Sequence, residues 1–438
     1  MDEAMSEETP TPTARIKRIE VVGLFGIYDH VIDLNLEDRV TILHGPNGVG
    51  KTVLLHLVRS ILGGDFEKLA QVPFKRFRVD FTSGEPIDIQ AEIRREQTRH
   101  PGGNRSRPIK TLKNTLSKEY ACDYSPHTTY PFSDPFEQGG SDRQFPETIW
   151  RPNQPTTALW DYSEERAPAH LIEAQRILRP LEQALGLVPS HGTPQLHPAV
   201  WGDAIDLQQR ISDLTHNYGT AAQDLDQSFP TRLLQRTGQS FPLQDLKSRM
   251  TKLEDLRAAL QRNGILDERR AKPFDVAALD SLTPAQSDVM GLYVEDNVSK
   301  LSIFVELLQR VELLLRIVNS RFRNKTIRAD HRQGLVVVGH RGQPLELRAL
   351  SSGEQQQIVL AYDLLFRVPP NTLVLIDEPE LSLHVLWQKR FLPDLLEIVK
   401  VAGIDALIAT HSPFIVGDRS DLMVALDAEI DHDEPLQS

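Results

Sequence analysis

Lys51 and Thr52 close the string Gly45-Pro46-Asn47-Gly48-Val49-Gly50-Lys51-Thr52, whose residue types and spacing suit the phosphates of a nucleotide. Gly48 and Gly50 let backbone N–H groups close around the α- and β-phosphates, and a helix starting here adds its positive N-terminus. Lys51 would reach the β- and γ-phosphates, and the Thr52 hydroxyl would ligate Mg²⁺. Asp377 and Glu378 end the apolar run Leu373-Val-Leu-Ile, the form of a buried strand that delivers carboxylates to its C-terminal edge. There Asp377 would hold Mg²⁺, and Glu378 would orient or deprotonate the attacking water of a phosphoryl transfer. Without the glycine loop, the two acids would merely cap a turn. His411 follows a further apolar stretch, Val401 to Thr410; an imidazole at such an edge can hydrogen-bond a γ-phosphate, although a lone histidine is usually structural. Leu350-Ser351-Ser352-Gly353-Glu354 precedes an amphipathic stretch from Gln355 to Phe366. Ser351 and the Gly353 backbone are spaced for a second anion site at a helix N-terminus or, equally, for an ordinary N-cap. About 300 residues separate the glycine loop from this last string, so the site would be built from two halves of a chain split by a large insertion.

The elements around these strings are readable from periodicity. Residues 1–14 are rich in Thr, Pro and Glu and read as a flexible tail. Ile16 to Val22 and Val31 to Leu36 alternate, and Val40 to His44 is a short buried-type strand leading into the glycine loop. Val53 to Leu62 continues as an apolar helix ending at Gly63-Gly64, and Phe77 to Phe81 and Ile87 to Ile93 read as antiparallel strands. From 97 to 158 the chain is rich in Pro, Gly, Ser, Asp and Arg and reads as a loop-rich basic segment. Ala169–Leu185, Ala204–Leu214, Leu243–Gln261 and Val298–Phe322 carry apolar residues at helical spacing. Pro180, Pro189, Pro194, Pro230 and Pro242 interrupt this run, so a compact helical domain is expected, not a long coiled-coil arm. Lys325 to Asp330 and Gly334 to His340 return to a hairpin-like pair. The expected division is a tail (1–14), a first head part (15–96), the basic segment (97–158), a helical insertion (159–322) and a second head part (323–438).

At 438 residues, 40% hydrophobic and 25% charged, the chain can bury real cores in two or three units. Cys122 is its only cysteine, which excludes an internal disulfide framework and fits a reducing cytoplasm. The acidic start lacks the pattern of a secretory signal, and no run approaches the roughly 20 apolar residues of a membrane span. A cytoplasmic protein is expected. The net charge of −12 argues against a chain that coats nucleic acid. Locally, however, Arg94, Arg95, Arg99, Arg105, Arg107, Lys110, Lys113 and Lys118 surround a single acid, Glu96. That stretch could bind nucleic acid or an acidic protein, the plainer alternative being a solvated loop.

In this order, Ile42-Leu-His-Gly-Pro-Asn-Gly-Val-Gly-Lys-Thr52, Leu350-Ser-Ser-Gly-Glu-Gln355, Ile376-Asp-Glu-Pro-Glu-Leu-Ser-Leu-His384 and Ala409-Thr-His-Ser-Pro413 resemble the ATPase head of the ABC superfamily in its RecF/SMC/OLD branch. The likeness covers about 16–95 and 325–427. It implies an α/β ABC-type P-loop head, with a mixed β lobe, a parallel-sheet lobe and a helical insertion domain, using ATP and Mg²⁺. It also implies that Ser351, Ser352, Gly353 and Glu354 form a signature acting in trans on a partner subunit's nucleotide, in a head-to-head dimer or higher oligomer. Relatives carry a glutamine that couples the γ-phosphate and metal to the inserted domain, and Gln90 is the nearest candidate by position. Glu380 and Ser382 would lie at the dimer seam, with no chemistry assigned. Transporter ATPases usually have Asp where His384 stands and Gly where Ser352 stands, and they lack so long an insertion. Asp377 to His384 is closest to OLD-like defence ATPases. Full-length OLD nucleases carry a Toprim domain after the switch histidine, whereas 27 residues follow His411. The resemblance therefore implies a sensor or scaffold whose effector, a nuclease, is a separate polypeptide, as in two-gene phage-defence systems of the PARIS and Septu types. The competing reading is a RecF-like repair clamp that binds DNA itself.

Overall fold

Alternating apolar residues make the first two strands, β1 (Ile16–Leu24) and β2 (Tyr28–Asp33), in which Ile16, Ile19, Val21, Leu24 and Ile32 are buried. The computed structural model describes residues 14–100, 103–114, 119–123, 169–172, 178–180, 196–235, 242–267, 274–382 and 385–426. After β3 (Val40–His44), buried over its first four residues, the glycine loop enters α1 (Lys51–Leu62). That helix buries Leu54, Leu55, Leu57, Val58, Ile61 and Leu62. Then follow α2 (Phe66–Gln71), β4 (Arg76–Phe81), β5 (Ile87–His100), β6 (Gly103–Asn114), β7 (Glu119–Asp123) and β8 (Ala169–Ile172).

Two compact units divide the chain, one of Met1–Ala174 with Val368–Ser438 and one of Gln175–Arg367. The second contains β9 (Leu178–Pro180), β10 (Leu196–Pro198), α3 (Ala199–Gln235), α4 (Leu243–Arg262), α5 (Pro284–Ser302), α6 (Val305–Asn319), β11 (Lys325–Asp330), β12 (Gly334–Gly339), β13 (Pro344–Leu345) and α7 (Ser352–Tyr362). The chain returns to the first unit with β14 (Leu373–Asp377), α8 (Val385–Ala402), β15 (Asp405–Ala409), α9 (Pro413–Val416) and β16 (Met423–Ala425).

The first unit holds two sheets. One is antiparallel, in the order β2-β1-β4-β5-β6-β7; the other is parallel, in the order β16-β3-β15-β14-β8. Parallel strands buried on both faces need continuous apolar runs, which is what β3, β14 and β15 supply. Asp405 is the exception, and both its oxygens accept from the Arg15 guanidinium. Losing that arginine would leave the buried carboxylate only the Arg39 guanidinium, 3.9 Å away. Fold class is therefore α/β, with a mixed arrangement of antiparallel and parallel sheets and a largely helical second unit.

In the second unit, α3 runs 37 residues and packs through Ala199, Val200, Ala204, Leu207 and Ile211. Gly334 opens β12 with φ 72, and a Cβ there would meet the Ala204 carbonyl oxygen at 1.7 Å, so only glycine fits. Tyr362 at the end of α7 is fully buried, and its hydroxyl donates to Asp206 of α3 at 2.6 Å. Arg367 donates to Asp203 at 2.7 Å.

Several sequence expectations need correction. The segment from 97 is not loop up to 123, because its described residues form the end of β5, then β6 and β7. Cross-strand backbone bonds hold these strands, so they need no apolar alternation; residues 124–168 lie outside the described residues. Ala169–Ile172 is not helical but a strand parallel to β14, in the first unit. A four-residue apolar run carries no period to tell the two apart. Pro230 does not interrupt the helix, since α3 continues through it to Gln235. Lys110 is not solvated: it is 1% exposed, donates to the Val72 carbonyl and lies 4.2 Å over the Phe74 ring. Lys118 falls outside the described residues. Val298–Phe322 breaks into α5 and α6 around Ile303-Phe304.

Candidate functional site

The C-terminal ends of β3, β14 and β15 lie side by side in the parallel sheet, with Asp377 opposite Ala409 and Ala409 opposite Leu43. This brings the starts of three of the four sequence strings to one edge, where α/β proteins place ligands. Gly48 (φ 86) and Gly50 (φ 96) both take the left-handed conformation. At Gly50 a Cβ would also sit 2.8 Å from a Leu24 methyl. Such turned backbone aims N–H groups into the concave loop, above the N-terminus of the 12-residue α1.

Lys51 is 5% exposed, and its Nζ donates to the Gly45 and Pro46 carbonyls at 2.8 and 2.9 Å. The same nitrogen lies 3.5 Å from His411 Nδ1. Burial lowers the Lys51 pKa below its ordinary value, against the opposing pull of Glu378, Asp377 and Glu380. The Thr52 hydroxyl donates to Asp377 Oδ1 at 3.1 Å. Burial pushes the Asp377 carboxyl up to about 6, helped by Glu378 and Glu380 and opposed by the Thr52 hydrogen bond and by Lys51. His411 Nε2 stands 3.9 Å from Glu378 Oε1, and Glu378 has φ 42, a left-handed backbone that a residue with a Cβ rarely takes.

The donor set fits magnesium nucleotide. Among the described residues no cluster of three or more His, Cys, Asp or Glu side chains could hold a metal alone. A cation at Thr52 and Asp377 would therefore depend on the nucleotide's oxygens as further ligands. The strained loop, the aimed ammonium and a carboxylate bonded to one hydroxyl provide the protein's share.

Gln90 is not brought into this set: it is exposed in mid-β5, opposite Arg76 and Lys113, and among the described residues no hydrogen bond or ion pair joins it to Thr52 or Asp377. Ser351, Ser352, Gly353 and Glu354 lie in the second unit, at the start of α7. Ser351 and Glu354 form a reciprocal capping box, and Lys325 Nζ sits 2.9 Å from Glu354 Oε2. Burial would raise the Glu354 pKa, but the Lys325 and Ser351 hydrogen bonds outweigh it and hold it low. The N-cap reading of this string is thus realised; the anion-site reading concerns a nucleotide held elsewhere.

Two residues in direct contact with the site have no role there that the sequence alone indicates, His30 and Glu380, the latter expected only at a dimer seam. His30, buried in β2, bonds through Nε2 to the Val49 carbonyl at 3.0 Å and so braces the glycine loop. Glu380 accepts from the Thr410 hydroxyl and the His411 N–H, both at 2.8 Å. Its signal was the third acid in Asp377-Glu378-Pro379-Glu380, a density of negative charge that is costly beside a phosphate site unless its oxygens are occupied.

An expected result follows for the metal-free, nucleotide-free protein. A carboxyl whose folded value lies above its unfolded value destabilises the fold increasingly as pH rises from about 4 to about 6, and fully above that. Asp377→Asn keeps the Thr52 bond without the charge. In chelator at pH 7.5 it should melt above wild type by about 1 kcal/mol, discounted for its partial exposure, and the difference should vanish near pH 4. Calorimetry at the two pH values checks this.

Comparison with known proteins agrees with the geometry. The family described as "AAA domain, putative AbiEii toxin, Type IV TA system" matches residues 40–417, and the chain belongs to it. It is thus a member of a P-loop ATPase family. A stretch of 79 residues is 35% identical to the nickel import ATP-binding protein NikD of Pseudomonas putida; it covers 18% of this chain and 30% of that protein. The chain thus spans under a third of that curated relative. Solved structures that align include an Smc head domain bound to the C-terminal domain of ScpA from Pyrococcus furiosus (12% identity, 95% and 94% of the two chains, TM-score 0.37). Another is the SMC head domain from Thermotoga maritima (11% identity, 94% of each chain, TM-score 0.34). These scores are too low to bear on function. No helix among the described residues is long and apolar enough to cross a membrane.

Proposed function

We propose that this chain binds ATP with Mg²⁺ and hydrolyses it to ADP and phosphate, and that its nucleotide state controls a separate effector protein, a nuclease, in an anti-phage defence complex. The observation that carries the ATPase part is the convergence of Lys51, Thr52, Asp377, Glu378 and His411 on one sheet edge. Gly45 to Thr52 hold the phosphates, Thr52 and Asp377 hold the metal, which supplies charge neutralisation at the γ-phosphate, and Glu378 accepts the proton of the attacking water. His411 donates to the γ-phosphate oxygen. Ser351, Ser352, Gly353 and Glu354 complete a neighbour's site in a dimer, since the capping box engages the Ser351 and Glu354 N–H groups and leaves those of Ser352 and Gly353, in the first turn of α7, for an anion. The family description and the Asp377 to His384 run support the defence setting.

A second reading, direct binding of duplex DNA as in a RecF-like clamp, is favoured by β5 and β6. They pair over twelve rungs, from Ile89–Asn114 to His100–Gly103. β4 flanks this pair only as far as Gln90, and β7 only as far as Ile109. Among the described residues, the last six rungs, Arg95–Pro108 to His100–Gly103, therefore run beyond both neighbours as a two-stranded ribbon. Its sequence places Arg95, Arg99, Arg105 and Arg107 against one acid, Glu96, and a two-stranded ribbon fits a DNA major groove.

One experiment separates the readings. Under the first, a nuclease encoded beside this chain co-purifies with it, and its cutting changes between ATP and no nucleotide. Under the second, duplex DNA stimulates hydrolysis by the chain alone, and replacing the four ribbon arginines with serine weakens DNA binding by about 10-fold or more at 100 mM salt. Hydrolysis indifferent to DNA, with a nuclease bound, retires the second reading; the converse retires the first.

A further inference from the structure

We propose that Glu380 is a positioning residue that fixes both the strained Glu378 backbone and the His411 imidazole, a role that rests on the ATPase reading above. Glu378 carries its φ of 42 at the junction between β14 and the short turn Pro379–Ser382. A backbone of this kind costs about 1–3 kcal/mol and persists only where its surroundings over-determine it. Two ties do so here. The Glu378 N–H donates to the Ala409 carbonyl at 2.9 Å, and the Glu378 carbonyl accepts from the Leu381 N–H at 3.1 Å.

Glu380 adds a third tie across the same gap. Its Oε2 accepts from the Thr410 hydroxyl and its Oε1 from the His411 N–H, each at 2.8 Å. Hydrogen bonds to an ionised acceptor are about twice as strong as neutral ones; Thr410 is fully buried and Glu380 half-buried, so the Thr410 end of this pair is out of water. Gln388 of α8 closes the ring. It donates to the Glu380 carbonyl at 3.2 Å and accepts from the Ser412 hydroxyl at 3.0 Å, while the Ser412 N–H donates to Thr410 Oγ1 at 3.0 Å. The turn after β14 and the segment after β15 are thereby joined by side chains from both and by one helix.

The imidazole itself has no comparable hold. Its contacts with the reacting groups are 3.5 Å to Lys51 Nζ and 3.9 Å to Glu378 Oε1, at or beyond the limit of a hydrogen bond. Its place between the lysine and the carboxylate is therefore set by the backbone it hangs from, and Glu380 holds the His411 N–H. Each Glu380 oxygen accepts a hydrogen bond from the segment that carries His411, the arrangement of a positioning residue.

The test compares wild type, Glu380→Ala, Glu380→Gln and His411→Ala for equilibrium Mg-ATP affinity and for kcat. Glu380→Ala should lower kcat by about 10–100-fold, the loss expected of a reacting group displaced by about 1 Å, with Kd for Mg-ATP within about 3-fold of wild type. Glu380→Gln should keep kcat within about 5-fold, because its carbonyl still accepts from His411 and the Thr410 hydroxyl can turn to accept from its amide. Combined with His411→Ala, the Glu380→Ala loss should shrink to the part that acts through the Glu378 backbone, since the part that acts through the imidazole is already gone. If Glu380→Ala does not fold, Thr410→Val removes one of the two donors and carries the same expectation of lowered kcat at unchanged affinity. Wild-type kcat in Glu380→Ala and Thr410→Val, or Glu380→Ala and His411→Ala losses that multiply in full, overturns the assignment. So does a defect confined to ATP-driven association, which would make Glu380 a seam residue. Absence of hydrolysis by wild type would instead remove the ATPase reading itself, whereas active wild type with inactive Lys51→Ala and unaffected Glu380→Ala removes the positioning role alone.

Discussion

Lys51→Ala protein should bind Mg-ATP so weakly that turnover falls by at least about 10²–10³-fold, the scale of losing one preorganised charge-stabilising donor. The ammonium is almost wholly buried and is held against the glycine loop by the Gly45 and Pro46 carbonyls. Without it, the site keeps Asp377, Glu378 and Glu380 and loses the cation they face. A triphosphate would then enter a field of its own sign. Equilibrium binding of labelled ATP and phosphate release measure the two effects, with a thermal melt to show that the variant is folded. Wild-type hydrolysis by folded Lys51→Ala protein would mean that the nucleotide site has been placed in the wrong loop.

Glu378→Gln should do the opposite to binding, retaining ATP while slowing hydrolysis by about 10²–10⁴-fold, the range for removing a general base. The amide has nearly the shape of the carboxylate and can still accept a hydrogen bond, but it cannot take the proton of the attacking water. Glu378 is only partly exposed and its left-handed backbone fixes where the side chain starts, so the substitution changes chemistry more than geometry. Gel filtration in Mg-ATP should show nucleotide eluting with the protein, and, if the Ser351 and Gly353 segment completes a neighbour's site, elution as a larger species than without ATP. Equal nucleotide retention by wild type and variant would count against Glu378 as the base; retention without association would count against the shared site.

The parts of this protein legible in one dimension are those whose physics is local. A glycine loop needs left-handed backbone at Gly48 and Gly50, and few other residues allow it. A strand buried on both faces is mostly apolar, so β3, β14 and β15 are legible in the sequence, and with them the edge to which Asp377, Glu378 and His411 belong. The start of α7 was equally plain, since Ser351 and Glu354 cap it through their own four-residue spacing.

What stayed hidden depends on partners far along the chain. Residues 97–100 and 103–108 read as loop because a ribbon of polar residues is held by backbone pairing, which leaves no mark in side-chain hydrophobicity. Ala169-His-Leu-Ile172 became a strand because β14 offered it an unpaired edge about 200 residues later. Lys110 was counted among exposed cations until the Val72 carbonyl and the Phe74 ring took it into the interior. Glu380 has no chemistry in the sequence, because its contacts exist only where folding sets Thr410 and His411 against it. Local sterics and hydrophobic periodicity are written residue by residue, whereas the direction of a hydrogen bond is a property of two positions in space.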